Sequence, residues 1–299
     1  LGWVPLMTDT PTAAVSLADA LRSAIDRLSS AGIADARVDA ELLAAHVLGV
    51  PRGAVEAAAV RGDHLAAPDA ARLDALVARR ATREPLQHLT GTAPFRHLEL
   101  RVGPGVFVPR PETEMVAQLA IDALSAAATA APIAVDLGTG SGAIALALAT
   151  EVPHARVFAA ENSVDAFVWT KENFALVAAD NAELSFIDLE RAFPELDGRV
   201  SVVASNPPYV PDAAIPRDPE VRFFDPPAAL YGGADGLEVV RVVSRVGLRL
   251  AHPGGTIVIE HGEWQGAAVR DLLAADGWRA ASTHPDLTMR DRATTAIRP

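Results

Sequence analysis

The sequence predicts an α/β protein: a mostly parallel, doubly wound sheet ending in an antiparallel hairpin, preceded by a small helical domain. Three observations predict it. Apolar residues recur at helical spacing from Ser16 to about Gly91, the pattern changes to alternating segments between Thr92 and Pro109, and from Pro132 onward short apolar strands alternate with helices. A chain of 299 residues is long for one core, so its size favours a large domain beside a smaller one. The expected divisions are a helical domain over 7–91, a β-hairpin linker over 92–109 and the α/β domain over 110–299.

In the helical part, Leu17, Leu21, Ile25 and Leu28 form one stripe and Val38, Leu42, Ala45 and Leu48 another. Ser16-Leu17-Ala18-Asp19 has the form of a capping box, and Gly32, Gly49, Pro51 and Pro68 divide the segment into short helices. Gly103-Pro104-Gly105 is the expected turn of the hairpin. Arg110-Pro111-Glu112-Thr113-Glu114 places proline and acids where a helix start favours them. Strands are expected at Ile133–Leu137, Arg156–Ala160, Leu184–Asp188, Val200–Ala204, Thr256–Glu260, Arg279–Thr283 and Ala293–Ile297, with helices centred near Ala147, Asn173, Val243 and Leu272. Only a turn around Pro285-Asp286 separates the last two strands, which makes them antiparallel.

Half of the chain is apolar, enough for a buried core, and no apolar run has membrane-spanning length. Leu1–Leu6 lacks the features of a signal peptide, Met7 reads as the initiator, and a cytoplasmic protein is expected. The absence of cysteine excludes disulfides, cysteine metal sites and cysteine nucleophiles. The eight histidines show no ligand spacing, so no metal is expected. A net charge of -12 argues against a surface that tracks phosphates and for a protein partner, with no direct nucleic-acid contact. A monomer is expected.

Asp136-Leu137-Gly138-Thr139-Gly140-Ser141-Gly142 follows an apolar strand and opens a helix, the context a nucleotide-binding glycine turn requires. Glu161, about 20 residues on at the second strand's end, can accept from two ribose hydroxyls. At the third strand's end Asp188 can take an adenine amine, with Leu189 beside the ring. These features suit a dinucleotide as well as S-adenosylmethionine. The fourth strand decides between them, because it runs into Asn206-Pro207-Pro208-Tyr209, and its end neighbours that of the first strand across the switch point. An amide or aromatic amine nitrogen has its lone pair delocalised and is a poor nucleophile toward a sulfonium methyl. If its N–H groups donate to the Asn206 oxygen and the Pro207 carbonyl, charge developing on nitrogen is stabilised and the lone pair is aimed. Pro207 and Pro208 stiffen the loop, and Tyr209 offers a flat face to a planar group.

These residues resemble the HemK/PrmC family, the protein-(glutamine-N5) methyltransferases of peptide chain release factors. The resemblance spans nearly the whole chain after Met7. It includes Pro85-Leu86-Gln87-His88-Leu89-Thr90-Gly91, Val108–Glu114, the Asp136–Gly142 loop, Asn206–Tyr209, Ala228-Ala229-Leu230 with Gly232–Leu237, and Glu260-His261-Gly262. It implies a seven-stranded, Rossmann-like class I methyltransferase domain that uses S-adenosylmethionine, releases S-adenosylhomocysteine, and takes the glutamine of the Gly-Gly-Gln motif in class 1 release factors. It further implies that Gly138–Gly142, Glu161 and Asn206 contact the cofactor, that Asn206–Tyr209 hold the amide, that Phe107 lines the wall beside them, and that the helical domain recognises the substrate. The alternative is a DNA or RNA adenine-N6 or guanine-N2 amino methyltransferase, since those enzymes share the tetrapeptide. Three positions depart from the family pattern: Glu161 in place of aspartate, Leu189 in place of an aromatic residue, and Met289 where glycine is expected.

Overall fold

The computed structural model describes residues 14–299. Met7 and residues 7–13 of the expected helical domain lie outside the described residues. Two units divide between Thr90 and Gly91.

The first unit comprises β1 (Val15–Ser16), α1 (Leu17–Ser30), α2 (Ala36–Leu48), α3 (Arg52–Arg61), β2 (His64–Leu65), α4 (Ala67–Ala81) and α5 (Leu86–Thr90). The Ser16 hydroxyl caps α1 by accepting from the Asp19 N–H at 3.4 Å. Leu17, Leu21 and Leu28 bury one face of α1 against Leu43, Val55, Leu73 and Val77. Each such leucine contributes about 1.5–3 kcal/mol through removal from water. Inside this unit Arg80 Nε donates to Asp39 Oδ2 at 2.7 Å, which keeps both buried charges paired.

The second unit opens with an antiparallel hairpin, β3 (Thr92–Phe95) and β4 (Leu98–Arg101). Its turn is Arg96-His97, with Arg96 at φ 55°, and Gly103-Pro104-Gly105 follows the hairpin instead of forming its turn. Packing requires Gly103, since a Cβ there would come within 2.4 Å of the Trp169 ring. The Asn173 side chain accepts from the Arg101 N–H at 2.6 Å and donates to the Arg101 carbonyl at 2.9 Å, binding the hairpin to this unit. α6 (Pro111–Ser125) then starts at Pro111, with Glu112 and Glu114 in its first turn.

The remaining elements are β5 (Ile133–Leu137), α7 (Ala143–Glu151), β6 (Arg156–Glu161), α8 (Val164–Val177), β7 (Ala182–Phe186), β8 (Val200–Ser205), α9 (Pro219–Phe224), α10 (Pro227–Leu230), α11 (Glu238–Leu250), β9 (Ala251–Glu260), α12 (Gly266–Asp276), β10 (Arg279–Pro285) and β11 (Asp291–Ile297). They build a seven-stranded sheet in the order β10-β11-β9-β8-β5-β6-β7. β5 to β9 are parallel where they pair, and β11 runs antiparallel to both of its neighbours. The parallel strands carry near-continuous apolar runs because helices cover both faces: Val116, Leu124 and Leu146 on one side, Val243, Leu250 and Leu273 on the other.

Several strand ends differ from the sequence reading, most by one or two residues, and two of the differences have a local cause. The third strand ends at Phe186, and Asp188 lies beyond it as the cap of a 3₁₀ turn, accepting from the Glu190 N–H at 2.9 Å. The short carboxylate satisfies a local backbone donor, which favours a turn over a longer ladder. β9 starts at Ala251 and carries its Pro253-Gly254-Gly255 as an irregularity in the pairing with β8. Among the described residues no single helix is long and apolar enough to cross a membrane.

Candidate active site

The strand order reverses between β5 and β8, and a cavity of about 730 Å³ opens at the C-terminal ends of these strands and β6. That volume suits a small-molecule site. On one wall the glycine loop adopts φ 74° at Gly138, 57° at Gly140 and 86° at Gly142, values an L side chain rarely takes. A Cβ at Gly138 or Gly140 would meet nothing within 4 Å, so the space beside the loop is open. From α8 the Thr170 hydroxyl donates to the Gly140 carbonyl, and Asn173 Nδ2 donates to the Ser141 carbonyl at 2.9 Å.

Two carboxylates support the loop. Asp136 Oδ2 accepts from the Thr139 hydroxyl at 2.6 Å and from the Ala145 N–H at 3.1 Å, while its buried Oδ1 has no hydrogen-bond partner. Burial pushes the Asp136 carboxyl up to about 7. Glu161 Oε2 accepts from the Gly140 N–H at 2.8 Å, and Oε1 from the N–H groups of Asn162 and Ser163 at 2.9 and 2.8 Å.

The opposite wall is the tetrapeptide. The Ser205 hydroxyl donates to the Leu137 carbonyl at 2.6 Å, which ties the end of β8 to that of β5 and places Asn206 beside the glycine loop. Asn206 Nδ2 donates to the Thr113 hydroxyl of α6 at 3.2 Å. The Tyr209 hydroxyl donates to Glu260 Oε1 at 3.3 Å, and burial raises its pKa far above the ordinary phenol range. The Tyr209 carbonyl accepts from Gln265 Nε2 at 2.9 Å, and the Val210 N–H donates to the Leu230 carbonyl at 2.8 Å. A Cβ at Gly232 would stand 2.4 Å from the Pro208 carbonyl oxygen, and one at Gly236 2.3 Å from that of Tyr209. The tetrapeptide backbone therefore rests directly on the glycine-rich loop that follows α10.

Phe107 is half-buried at the cavity wall, between the buried Val106 and Val108. The Arg110 guanidinium stands 5.0 Å from its ring centre and bonds Asp225 Oδ2 at 2.6 Å. Every residue proposed from sequence lines the cavity except Gly142. Gly142 sits behind the loop as the cap of α7, where a Cβ would come within 3.1 Å of Phe174. Sequence reasoning missed Arg110, Thr113, Glu260 and Arg292, which also line the cavity. The available signal was a third carboxylate ending an apolar strand, Glu260, together with a Pro109–Glu114 segment richer in polar groups than a helix cap needs.

Residues 19–91 match the model of the PrmC N-terminal domain, and residues 97–229 that of the methyltransferase small domain. A release factor glutamine methyltransferase of Streptomyces coelicolor is 49% identical over 91% of this chain and 95% of its own. The chain belongs to the release factor glutamine methyltransferase family. A relative of the same name from Bifidobacterium longum is 43% identical over 94% of this chain and 99% of its own. A 4-amino-L-phenylalanine/4-methylamino-L-phenylalanine methyltransferase of Streptomyces pristinaespiralis is 42% identical over 96% of this chain and 96% of its own. Among solved structures, the T. thermophilus 16S rRNA N2 G1207 methyltransferase in complex with AdoMet and guanosine shares the fold, with a TM-score of 0.52 at 19% identity over 70% of this chain and 50% of that one.

The three departures from the release factor glutamine methyltransferase pattern have distinct surroundings. Glu161 reaches the Gly140 N–H across from β6, while its other oxygen accepts from the Asn162 and Ser163 N–H groups just ahead of α8. Leu189 is half-buried, packs on the core face that carries α11 and lines the cavity. Met289 has φ 62° and is 80% exposed, so it occupies a glycine-favouring backbone position in the β10–β11 turn, away from the cavity lining. The Asp286 carboxylate organises that turn: it accepts from Thr288 and Arg290 and pairs with Arg292 at 3.2 Å.

Proposed function

We propose that this chain transfers a methyl group from S-adenosylmethionine to the N5 side-chain amide of the glutamine in the Gly-Gly-Gln motif of class 1 peptide chain release factors, yielding S-adenosylhomocysteine. The carrying observation is the tetrapeptide held by the Ser205–Leu137 bond against an open glycine loop in one cavity. The residues present fit S-adenosylmethionine. The open Gly138–Gly140 surface admits a close ligand, Glu161 suits ribose hydroxyls, Asp188 and Leu189 suit an adenine, and the unpartnered Asp136 Oδ1 offers a buried anion to a cationic ligand. Bound there, the cofactor supplies an electrophilic methyl on a sulfonium, which asks for no metal.

The chain's own part is to bind, orient and polarise. Asn206 Nδ2 is engaged by Thr113, which leaves its oxygen to accept one amide N–H, and the Pro207 carbonyl accepts the other. Tyr209 stacks on the planar group and Phe107 closes the wall beside it. With the cofactor bound, the amide nitrogen would gain the methyl as the sulfonium gives it up, and the proton of the alkylated nitrogen would pass to water. The helical unit is assigned to gripping the release factor, and the enzyme to acting as a cytoplasmic monomer on protein, without nucleic acid or membrane.

A second reading rests on the Streptomyces pristinaespiralis relative, a 4-amino-L-phenylalanine/4-methylamino-L-phenylalanine methyltransferase, since an arylamine nitrogen also has a delocalised lone pair. The test incubates the enzyme and S-adenosylmethionine labelled in its methyl group with a release factor, 4-amino-L-phenylalanine, rRNA and DNA in parallel. Label in the Gly-Gly-Gln peptide by mass spectrometry is the expected result. Label in the arylamine or a nucleic acid and none in the release factor would overturn the assignment.

A further inference from the structure

We propose that Glu260 is a positioning residue for methyl transfer: through the Thr113 hydroxyl it sets which way round the Asn206 amide stands, and through the Tyr209 hydroxyl it fixes the ring beside it. The proposal deepens the function above and, for its substrate, rests on that reading.

The two ends of an asparagine amide are nearly alike in shape and opposite in chemistry. Only the oxygen can accept an N–H from the target nitrogen, whereas an amide turned by half a circle presents its own donors. What chooses between them is the group on the far side. Asn206 Nδ2 donates to Thr113 Oγ1 at 3.2 Å, so this hydroxyl must receive there and dispose of its single proton elsewhere. The carboxylate that faces this hydroxyl is Glu260, whose ionised form the Thr113 hydroxyl favours. An ionised carboxylate is acceptor-only, so a Thr113 proton turned toward the partnerless Glu260 Oε2 makes the proposed order run one way, from Asn206 to Thr113 to Glu260.

The same carboxylate accepts the Tyr209 hydroxyl at 3.3 Å. Glu260 is therefore the common anchor of two side chains that flank the target amide. It lies at the end of β9, 2% exposed, next to the strand that carries the tetrapeptide, since Ile259 pairs with Ser205. Its Oε2 is buried without a partner, and the residue lines the cavity.

The groups facing this carboxylate are Arg292 from β11, Glu112 and Thr113 from α6, and Tyr209 from the loop after β8. Arg292 shares its charge with Asp286 at 3.2 Å. Burial prevails over these partners and lifts the Glu260 carboxyl to about 7. Protonated, it can donate to Thr113 and reverse the order, which turns the Asn206 oxygen away from the substrate.

The experiment combines steady-state kinetics on a release factor with the side-chain ¹H–¹⁵N signals of Asn206 in the free enzyme, assigned by their absence in Asn206→Asp. Thr113→Val keeps the shape and loses the hydroxyl. It should lower kcat by about 10²-fold while KM for the release factor and Kd for S-adenosylmethionine change by less than about threefold. Thr113→Ser should recover most of that loss. Wild-type kcat should rise with pH through about 7. Glu260→Gln should abolish this limb, whereas Asp136→Asn, at the other carboxyl lifted to about 7, should retain it. The Asn206 signals should move in both Thr113→Val and Glu260→Gln.

An acid limb that persists in Glu260→Gln, an unchanged kcat in Thr113→Val, or Asn206 signals unmoved in both variants would overturn the proposal. If the wild-type enzyme leaves the release factor unmethylated and the Asn206 signals still move, the substrate reading fails and the positioning role stands. Cofactor affinity retained in the Thr113 and Glu260 variants shows that the site is folded.

Discussion

Replacing Asp136 with asparagine should stabilise the free enzyme at alkaline pH and weaken its hold on the cofactor. Both hydrogen bonds to this carboxylate, from Thr139 and Ala145, fall on Oδ2, so the asparagine oxygen can retain them while its NH₂ takes the place of the partnerless Oδ1. The folded carboxyl holds its proton up to about 7, against an ordinary value of 3.8. Between those values the folded state binds more protons than the unfolded one. The contribution of this group is therefore fully present below about 4, falls as pH rises, and is lost above about 7. A gap of roughly three pKa units at ~1.4 kcal/mol each puts the cost of the buried charge at about 4 kcal/mol. A buried NH₂ without a partner gives back about 1–3 kcal/mol, which leaves a gain on the order of 1–3 kcal/mol at pH 8 and none near pH 5.

Urea unfolding of wild type and variant at both pH values measures this difference. Calorimetry at pH 8 should show S-adenosylmethionine affinity falling about 10–100-fold, the usual range for a lost charge-assisted bond. A stability gain equal at the two pH values, or undiminished cofactor affinity, would refute the reasoning from a buried, ligand-facing anion.

Three further outcomes follow from the geometry. Asn206→Ala should cut kcat by about 10²–10³-fold while cofactor affinity, measured by calorimetry, falls much less. Gly236→Ala, whose Cβ would stand 2.3 Å from the Tyr209 carbonyl oxygen at φ 75°, should displace the tetrapeptide and lower kcat, visible in Tyr209 resonances with the glycine-loop signals unmoved. Removing residues 7–90 should raise KM for a whole release factor far more than for a short Gly-Gly-Gln peptide; equal losses for both would reduce the helical unit to scaffold.

The legible parts of the site are those whose residues are contiguous. The Asp136–Gly142 loop and Asn206–Tyr209 each carry their chemistry in a few adjacent positions, and both line the cavity except for Gly142. The apolar pattern carries the third strand two residues too far, to Asp188, because it does not register a side chain that competes for backbone donors. The Gly103-Pro104-Gly105 segment read as a turn for its composition, whereas Gly103 answers to the Trp169 ring.

From sequence alone come the order of strands and helices along the chain, the glycine loop, the tetrapeptide and the family pattern, because local periodicity and short motifs express backbone preferences that act over a few residues. Only the tertiary structure joined Thr113 to Asn206, Glu260 to Tyr209 and Arg110 to Asp225. These partners lie 93, 51 and 115 positions apart, and strand order and helix packing, which no local window contains, bring them together. Burial, likewise a property of the assembled fold, is what turns Asp136 and Glu260 from ordinary acids into groups that titrate near neutrality.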